Sequence, residues 1–149
     1  MGFSSRSHYG TRAMLELALR AGEGPVHLET LAEVQGIPER YLAKIVQELR
    51  RGGLIRSVRG AGGGYMLAKE PGEIEIAEIV RCLDGSMAPT ECVENPELCK
   101  NAAQCVAREV WSEVNDAIVQ VLESVTLRDL VDRCEARPGA SASTREEKK

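Results

Sequence analysis

A glycine-centred turn between two helical patterns constrains the fold of this 149-residue chain more than any other feature. Residues 28–34 repeat apolar side chains at helical spacing, and residues from Pro38 to about Arg51 do so again. Gly36 separates the two patterns, and glycine readily adopts the left-handed backbone of a tight turn. Pro38 suits the first turn of a helix, where its missing N–H removes no hydrogen bond. A short helix, a tight turn and a longer helix form the helix-turn-helix pattern.

The longer helix of this pattern has an apolar stripe and a separate polar face. The stripe consists of Leu42, Ile45, Val46 and Leu49. Off the stripe lie one small side chain and three hydrogen-bond donors, namely Arg40, Ala43, Lys44 and Gln47. Exposed helix faces are usually polar, so this face indicates contact with DNA only in combination with the elements around it.

Two short strand patterns follow, at residues 54–58 and 65–68, and they flank the glycine-rich segment RGAGGG. A flexible hairpin and a phosphate-binding loop are alternative interpretations, but the segment lacks the GKS/T ending of a nucleotide P-loop. A hairpin of this kind behind a helix-turn-helix is typical of a wing that follows the minor groove, where close backbone approach and a cation are favoured. The candidate wing contacts are Arg56, Arg59, Gly62 and Gly63. We therefore predict a mainly α fold (α+β), with a winged helix-turn-helix DNA-binding domain over residues 1–83 and a small two-stranded wing.

The charge distribution separates the N-terminal half from the rest of the chain, whose net charge is −4. Residues 1–69 contain ten Lys/Arg and six Asp/Glu, whereas residues 70–149 contain nine and seventeen. The half that carries the helix-turn-helix pattern is therefore positive. This asymmetry favours a nucleic acid as the partner of that half.

Three cysteines, Cys92, Cys99 and Cys105, lie in a stretch with few helix or strand signals. Thiolates in a loop bind soft metal ions and iron–sulfur clusters, so residues 84–103 are predicted to be a cluster-binding loop. The total of five cysteines is odd, which argues against a disulfide framework. No apolar run is long enough for a bilayer and no apolar secretory region is present, so we expect a cytoplasmic protein with reduced thiols and no membrane association.

The longest helical pattern extends from about Gln104 to Val125 and keeps an apolar stripe for about six turns. The stripe comprises Ala107, Val110, Trp111, Val114, Ala117, Ile118, Val121, Leu122 and Val125. A single domain of this size has little core for so long a stripe, so a seam between two copies is favoured over packing on its own chain. Residues 104–136 are assigned to this dimerisation helix and a short terminal helix, whose start resembles a capping box of Thr126 and Asp129.

Helices are also predicted at residues 7–21, with Ser7 as the N-cap, and at residues 74–83. Cys82 on the second of these helices is expected to pack as a small apolar side chain. Residues 137–149 are polar and are predicted to be a disordered tail.

Four stretches of the chain together resemble a known family of DNA-binding regulators. They are SHYGTRAMLELAL, QGIPERYLAKIVQELRRGGLIRSVRGAGGGYMLA, the three-cysteine loop and REVWSEVNDAIVQVLESVTLRDLV, and they cover almost everything from Ser5 to Val131. The chain is similar to the winged-helix regulators typified by the iron–sulfur assembly repressor IscR. SVRGAGGGY and the cysteine triplet are the most specific parts of this resemblance.

The resemblance implies a homodimer that is crossed through the long helix and binds a palindromic site on double-stranded DNA. It also implies that Cys92, Cys99 and Cys105 hold an iron–sulfur cluster, with 2Fe-2S favoured over 4Fe-4S, supplied by the iron–sulfur assembly machinery. The cluster would set the DNA affinity in response to iron–sulfur, redox or nitric oxide status, and repression is favoured over activation. No catalytic activity is implied, and no nucleophile–base pattern suggests one.

The fourth cluster ligand is where this sequence departs from the family pattern. The assembly repressor has a His three residues after its last ligating cysteine, and here that position is Arg108, which is not a plausible ligand. In some relatives the partner subunit donates a side chain near the start of the first helix, and His8 occupies that position. Imidazole binds iron, so His8 is the favoured fourth ligand. The other candidates are an exogenous thiol and the carboxylates of Glu91, Glu94, Glu97 and Glu109.

Two further interpretations of the triplet remain open. The three cysteines and His8 would also suit structural Zn²⁺ as a Cys3His site. Two of the three thiols would alternatively serve as a redox pair in a sensor without a cluster. A cysteine-dependent enzyme is disfavoured, because no Cys/His/Asn arrangement is evident.

Overall fold

The structure, a computed structural model, describes residues 2–138 of the chain. The helices it describes are, in chain order, α1 (Ser5–Leu19), α2 (Leu28–Gln35), α3 (Glu39–Arg51), α4 (Ile76–Asp84), α5 (Glu91–Glu94), α6 (Val106–Ser124) and α7 (Leu127–Glu135). Strands β1 (Ile55–Val58) and β2 (Gly64–Leu67) form a two-stranded antiparallel sheet. Single 3-10 turns occur at Pro71–Glu73, Pro96–Leu98 and Ala102–Gln104. The predicted mainly α winged helix-turn-helix with a long C-terminal helix is confirmed.

The helix-turn-helix forms as the sequence predicted. Gly36 follows α2 in the left-handed region, with φ 62° and ψ 34°, and the Ile37 amide donates to the Ala32 carbonyl at 3.0 Å. The apolar stripe of α3 is buried in an aliphatic core that α1, α2 and α4 share. Burying one leucine or isoleucine side chain contributes about 1.5–3 kcal/mol, so this stripe decides which face of α3 is left in solvent.

The wing is anchored to the rest of the domain by a third segment. Within the sheet Val58 is paired with Gly64. Val26, which precedes α2, exchanges two backbone hydrogen bonds with Tyr65, at 2.9 and 2.8 Å. Gly64 permits this pairing, because its φ is +141° and a Cβ there would overlap the Val26 carbonyl. The base of the wing is therefore held against the helices.

Two helices begin at residues other than those predicted. α1 begins at Ser5 because Ser4, and not Ser7, is its N-cap, and the Ser4 hydroxyl accepts from the Ser7 amide at 3.3 Å. α4 begins at Ile76 because the residues before it are extended and pair with the connection between α6 and α7. In that pairing the Ile74 carbonyl accepts from the first amide of α7 at 2.9 Å. Contacts between distant segments therefore set both boundaries.

The long helix α6 contains no buried residue over its 19 positions. One side packs on the core through half-buried apolar residues, namely Ile118, Val119 and Leu122. Four large apolar side chains of the helix are exposed, namely Val106, Val110, Trp111 and Val121, at 71%, 55%, 40% and 61%. The chain itself thus covers part of the predicted stripe and leaves the rest open. We call these four exposed residues the open face of α6.

α7 follows the predicted capping box, in which the Thr126 hydroxyl accepts from the Asp129 amide at 3.2 Å. Over residues 2–138, no helix combines the length and the apolar character needed to cross a membrane. Of the tail predicted at residues 137–149, the part from residue 139 onward lies outside the described residues.

Candidate DNA-binding surface and thiol loop

The polar face of α3 is open to solvent. Arg40, Lys44 and Gln47 are exposed, and Ala43 between them is half-buried. Their spacing of three or four residues places them on one side of the helix, away from the buried stripe. Two cations, an amide and a small apolar residue on one exposed helix face can contact phosphates and base edges.

The turn before α3 is held by a polar network on α1 that the sequence patterns did not predict. Arg12 donates to the Gln35 side-chain oxygen at 3.0 Å and to the Gln35 carbonyl at 2.7 Å. Gln35 donates in turn to Glu16, which is 4% exposed and pairs with Arg20 at 2.6 Å. Since a buried charge must be paired and hydrogen-bonded, the network fixes the end of α2. No spacing rule distinguishes Glu16 from a solvated helix residue.

The four predicted wing contacts have different surroundings. Arg59 and Gly62 are exposed at the tip, and a Cβ on Gly62 would meet nothing within 4 Å. Gly63 is buried, and a Cβ there would overlap the Val58 carbonyl, so the hairpin itself requires this glycine. Arg56 lines a cleft of about 370 Å³ between the wing and the loop after α1. Arg56, Arg59 and Gly62 are therefore all exposed to a ligand, whereas Gly63 is not.

The cysteine loop runs from Gly85, after α4, to Cys105, the N-cap of α6. Cys92 lies half-buried in α5, with its Sγ 3.2 Å from the Thr90 hydroxyl. Cys99 is exposed after a 3-10 turn, and Cys105 is half-buried. All three are free thiols. Among residues 2–138, no three metal-ligating side chains are grouped closely enough to hold a metal ion, so the thiols share a loop without surrounding one point.

Arg108 binds this loop from the first turn of α6. Its Nε donates to the Cys92 carbonyl at 2.8 Å. Arg108 occupies the position at which the related repressor has its fourth ligand. Here its side chain holds the backbone of Cys92, which is itself a candidate ligand. The sequence identified Arg108 only as a poor ligand, because a contact across 16 residues leaves no local pattern.

The predicted fourth ligand, His8, lies exposed in α1, with its ring centroid 5.6 Å from that of Tyr9. The alternative carboxylates are also exposed, on the loop and on α6, namely Glu91, Glu94, Glu97 and Glu109. Within the described part of a single chain, none of these groups joins the cysteines in a metal-binding cluster.

The chemistry of the donor set fits the predicted group. Three thiols on one loop supply the sulfur donors that both iron–sulfur clusters and structural zinc prefer. None of Cys92, Cys99 and Cys105 is buried, so all three can exchange ligands with a donor from solution. Holding a cluster requires the loop to bring the three sulfurs together.

Cys82 is a different kind of thiol. Its Sγ lies 3.4 Å from the Glu48 carbonyl, where α4 meets α3. Burial, followed by the negative charge of Glu48, raises the pKa of this thiol. A thiol that stays protonated is a poor metal ligand and a poor nucleophile, which agrees with the packing role expected for Cys82.

Residues 3–133 match the model of the Rrf2 family, "Iron-dependent Transcriptional regulator". The HTH-type transcriptional regulator CymR of Bacillus subtilis is 42% identical over 130 residues, which are 87% of this chain and 89% of CymR. The solved structure of CymR, the global cysteine regulator of B. subtilis, has a TM-score of 0.76 at 39% identity and covers 89% of this chain and 98% of that one.

Similarity to IscR proteins is of the same degree. The HTH-type transcriptional regulator IscR of Photorhabdus laumondii is 39% identical over 135 residues, which are 91% of this chain and 82% of IscR. The solved structure of T. potens IscR has a TM-score of 0.77 at 40% identity and covers 93% of this chain and 92% of that one. The similarity therefore extends from the first helix through the cysteine loop to the long helix.

Proposed function

The chain belongs to the Rrf2 family of DNA-binding transcriptional regulators, a family of non-enzymes, and from that premise we propose that it is a homodimeric repressor whose DNA affinity is set by an iron–sulfur cluster. It would act in the cytoplasm, with a 2Fe-2S cluster favoured over 4Fe-4S. The observation that carries the proposal is the position of three free thiols on one loop that ends as the N-cap of α6. The loop thus joins a metal-binding donor set to the helix with the open face.

For DNA recognition, α3 enters the major groove with its exposed side toward the base edges. Arg40 and Lys44 suit guanine, Gln47 suits adenine, and the small Ala43 suits the methyl group of thymine. Arg59 lies at the wing tip, where a cation is favoured in the minor groove. The support for this assignment is the exposure of the two arginines, Lys44 and Gln47 on the positive half of the chain.

The open face of α6 supports the homodimer. Val110 and Val121 are more than half exposed, and Trp111 lies beside Val110 at 40% exposure. Several large apolar side chains exposed on one helix are typical of a protein interface. Pairing the same face of two copies about a two-fold axis covers both, and it orients two α3 helices for the two halves of a palindromic site.

In this proposal Cys92, Cys99 and Cys105 hold the cluster, the partner subunit's His8 completes the ligand set, and the iron–sulfur assembly machinery is the donor. When bound, the cluster supplies iron that responds to redox state and to nitric oxide. Arg108 keeps the Cys92 backbone in place. Cys105 is the N-cap residue of the 19-residue helix α6, so it ties the end of the loop to that helix.

The test is the absorbance spectrum, with iron and sulfide analysis, of full-length protein purified without oxygen. Wild type is expected to absorb in the visible range and to contain both elements. Cys99→Ala should lose the cluster, because three thiolates leave little redundancy. The matched control is Cys134→Ala, which should keep the cluster because Cys134 is a free thiol on α7, outside the loop. His8→Ala should give a labile cluster with a shifted spectrum. Colourless wild-type protein without iron would refute the proposal.

A second candidate is a regulator that uses the loop thiols without a cluster. It is favoured by the separation of the thiols, since no metal-binding group of three occurs among residues 2–138. The similar B. subtilis protein is a global cysteine regulator. In this case two loop thiols would form a disulfide on oxidation. A colourless protein whose loop thiols are lost reversibly on oxidation favours this candidate, and colourless protein containing bound Zn²⁺ favours a Cys3His zinc site.

A further inference from the structure

A hydrogen-bonded cap joins the start of the cysteine loop to the start of α1. Asp84 is the last residue of α4 and directly precedes the loop. One of its carboxylate oxygens accepts from the Ser4 amide at 2.9 Å, and the other accepts from the Ser4 hydroxyl. Ser4 is also the N-cap residue of α1. A movement of the first loop residues therefore acts directly on the beginning of α1.

The first turn of α1 is joined in turn to the DNA-reading helix. Arg6 forms an ion pair with Glu48, in the C-terminal half of α3. The carbonyl of Glu48 also lies 3.4 Å from the sulfur of Cys82, two residues before Asp84. The start of α1, the end of α3 and the end of α4 thus meet at one place, which we call the three-helix junction.

Two glycines bring the helices of this junction into close contact. A Cβ on Gly10 of α1 would overlap the side chain of Leu83 in α4. A Cβ on Gly52, which follows α3, would lie 2.5 Å from the Cys82 sulfur. Closely packed elements pass a displacement to one another, because the interior has little free volume in which to absorb it.

From this arrangement we propose that Asp84 is a positioning residue that couples the shape of the cysteine loop to the position of α3. A change in the loop moves Asp84, which displaces Ser4 and the start of α1 through their hydrogen bonds. The Arg6–Glu48 ion pair then transmits this displacement to the end of α3. The proposal rests on the proposed function in taking the loop as the sensing element. It adds the route by which the state of the loop reaches the helix that reads DNA.

The chemistry of Asp84 suits a firm connection at neutral pH. Burial raises the pKa of its carboxyl, but the hydrogen bonds from Ser4 and the charge of Arg6 outweigh burial, so the pKa lies below its ordinary value. A carboxylate accepts from both Ser4 donors at once, whereas an Asn side chain has only one accepting oxygen. Asp84→Asn therefore weakens the connection while preserving the size of the side chain.

The test compares hydrogen exchange of the amides of residues 39–51 between the cluster-loaded and cluster-free forms of the full-length protein. In wild type the exchange rates of the two forms should differ by about fivefold or more, the lower end of common allosteric couplings. In Asp84→Asn, at equal iron and sulfide content, their ratio should fall to about one. A purely structural role would change both forms by the same factor and leave the ratio unaltered.

Asp132→Asn is the matched control, because it neutralises an aspartate in an exposed ion pair with Arg128, far from the junction in the chain. This variant should keep the wild-type ratio. Ser4→Ala removes a donor from the other side of the same contact, so it makes the same prediction as Asp84→Asn if the latter does not fold. A wild-type ratio in either junction variant overturns the proposal, and so does a wild-type α3 that does not respond to the cluster.

Failure of the proposed function gives a different result. Wild type that takes up no iron refutes the cluster, and the two loop states to compare are then the reduced protein and protein alkylated with iodoacetamide at the exposed Cys99. A difference in the hydrogen exchange of α3 between these two states that is present in wild type and disappears in Asp84→Asn supports the coupling. A response that persists in the variant, or none in wild type, overturns it.

Discussion

The helices up to α4 and the long helix α6 are stabilised in different ways. Each of α1 to α4 buries apolar side chains in one core, whereas α6 contributes only half-buried ones and leaves its open face in solvent. The winged helix-turn-helix is therefore complete within a single chain. The long helix is complete only when something covers its open face. The core of the first four helices also contains Leu127 and Val131 of α7, so within the C-terminal part it is α6 that depends on additional contacts.

The largest expected effect comes from the core. Leu42→Ala should lower the free energy of unfolding by about 2–5 kcal/mol, because Leu42 is fully buried and truncation leaves a cavity. Val110→Ala, on the open face, should cost less than about 0.5 kcal/mol at concentrations where the chain is monomeric. Denaturant unfolding followed by circular dichroism measures both. Similar losses of unfolding free energy for the two variants would contradict the difference in burial between α1–α4 and the open face of α6.

The next largest effect is expected on dimer formation. Val110→Asp places a charge on the open face of each copy, and it should raise the dimer dissociation constant by about 100-fold with the fold intact, because each charge would be buried without a partner. Light scattering over a concentration series measures this. Ile118→Asp is the contrasting variant, since Ile118 packs on the core of its own chain and its replacement should destabilise the monomer. Dimers of Val110→Asp that persist at low concentration would exclude the open face as the seam.

Arg59→Ala, which removes the wing cation, should weaken binding by about tenfold to a DNA fragment selected with the wild type. It should also reduce the slope of log affinity against log salt concentration by about one, the value for one phosphate contact. Arg133→Ala, an exposed arginine on α7, is the control and should bind as wild type does. Fluorescence anisotropy at several salt concentrations separates the outcomes. An Arg59→Ala protein with wild-type affinity and salt slope would show that the wing does not contact DNA.

A smaller effect distinguishes the two wing glycines. Gly62→Ala should leave the unfolding free energy unchanged and lower DNA affinity a few fold, because its Cβ meets nothing in the chain and faces outward. Gly63→Ala should destabilise the hairpin, because its Cβ would overlap the Val58 carbonyl. Thermal unfolding and anisotropy measured on both variants test the pair. Equal behaviour of the two would contradict a division between a structural and a contacting glycine.

The smallest effect is the pH dependence contributed by Asp84. Its pKa is lower in the folded protein than in the unfolded chain, so its contribution to stability is complete above about pH 4 and is lost as the pH falls through the lower folded value. The stability advantage of wild type over Asp84→Asn should therefore shrink between about pH 7 and pH 3. Urea unfolding at both values measures it. An advantage that stays constant would show that the carboxylate form contributes nothing.

Features of the fold that depend on local sequence were predictable. Gly36, the apolar stripe of α3 and the capping box at Thr126 each have a spacing that the backbone alone explains, and all three are confirmed. The family is also confirmed by the comparisons. The predicted N-cap of α1, Ser7, was wrong. The N-cap is Ser4, whose amide donates to Asp84, and a contact across 80 residues leaves no periodic pattern in the sequence.

The candidate site was predictable in part for the same reason. Residue types and spacing were enough to predict free thiols in a loop and hydrogen-bond donors on an exposed helix face. That the thiols bind a metal and the donors contact DNA remains a prediction. The buried Glu16 and the hold of Arg108 on Cys92 are long-range side-chain contacts. Such contacts depend on how the helices pack against one another, which residue spacing does not record.

In the proposed homodimer, pairing through the open face of α6 would make the copy number of the protein a second input beside the chemical signal. Pairing of two chains is second order, so at low concentration the amount of dimer grows with the square of the amount of chain. Only a dimer presents two α3 helices at the separation of a palindrome, so occupancy of the site responds to synthesis more steeply than in direct proportion. A modest fall in expression would then release a target gene even when the loop receives no signal.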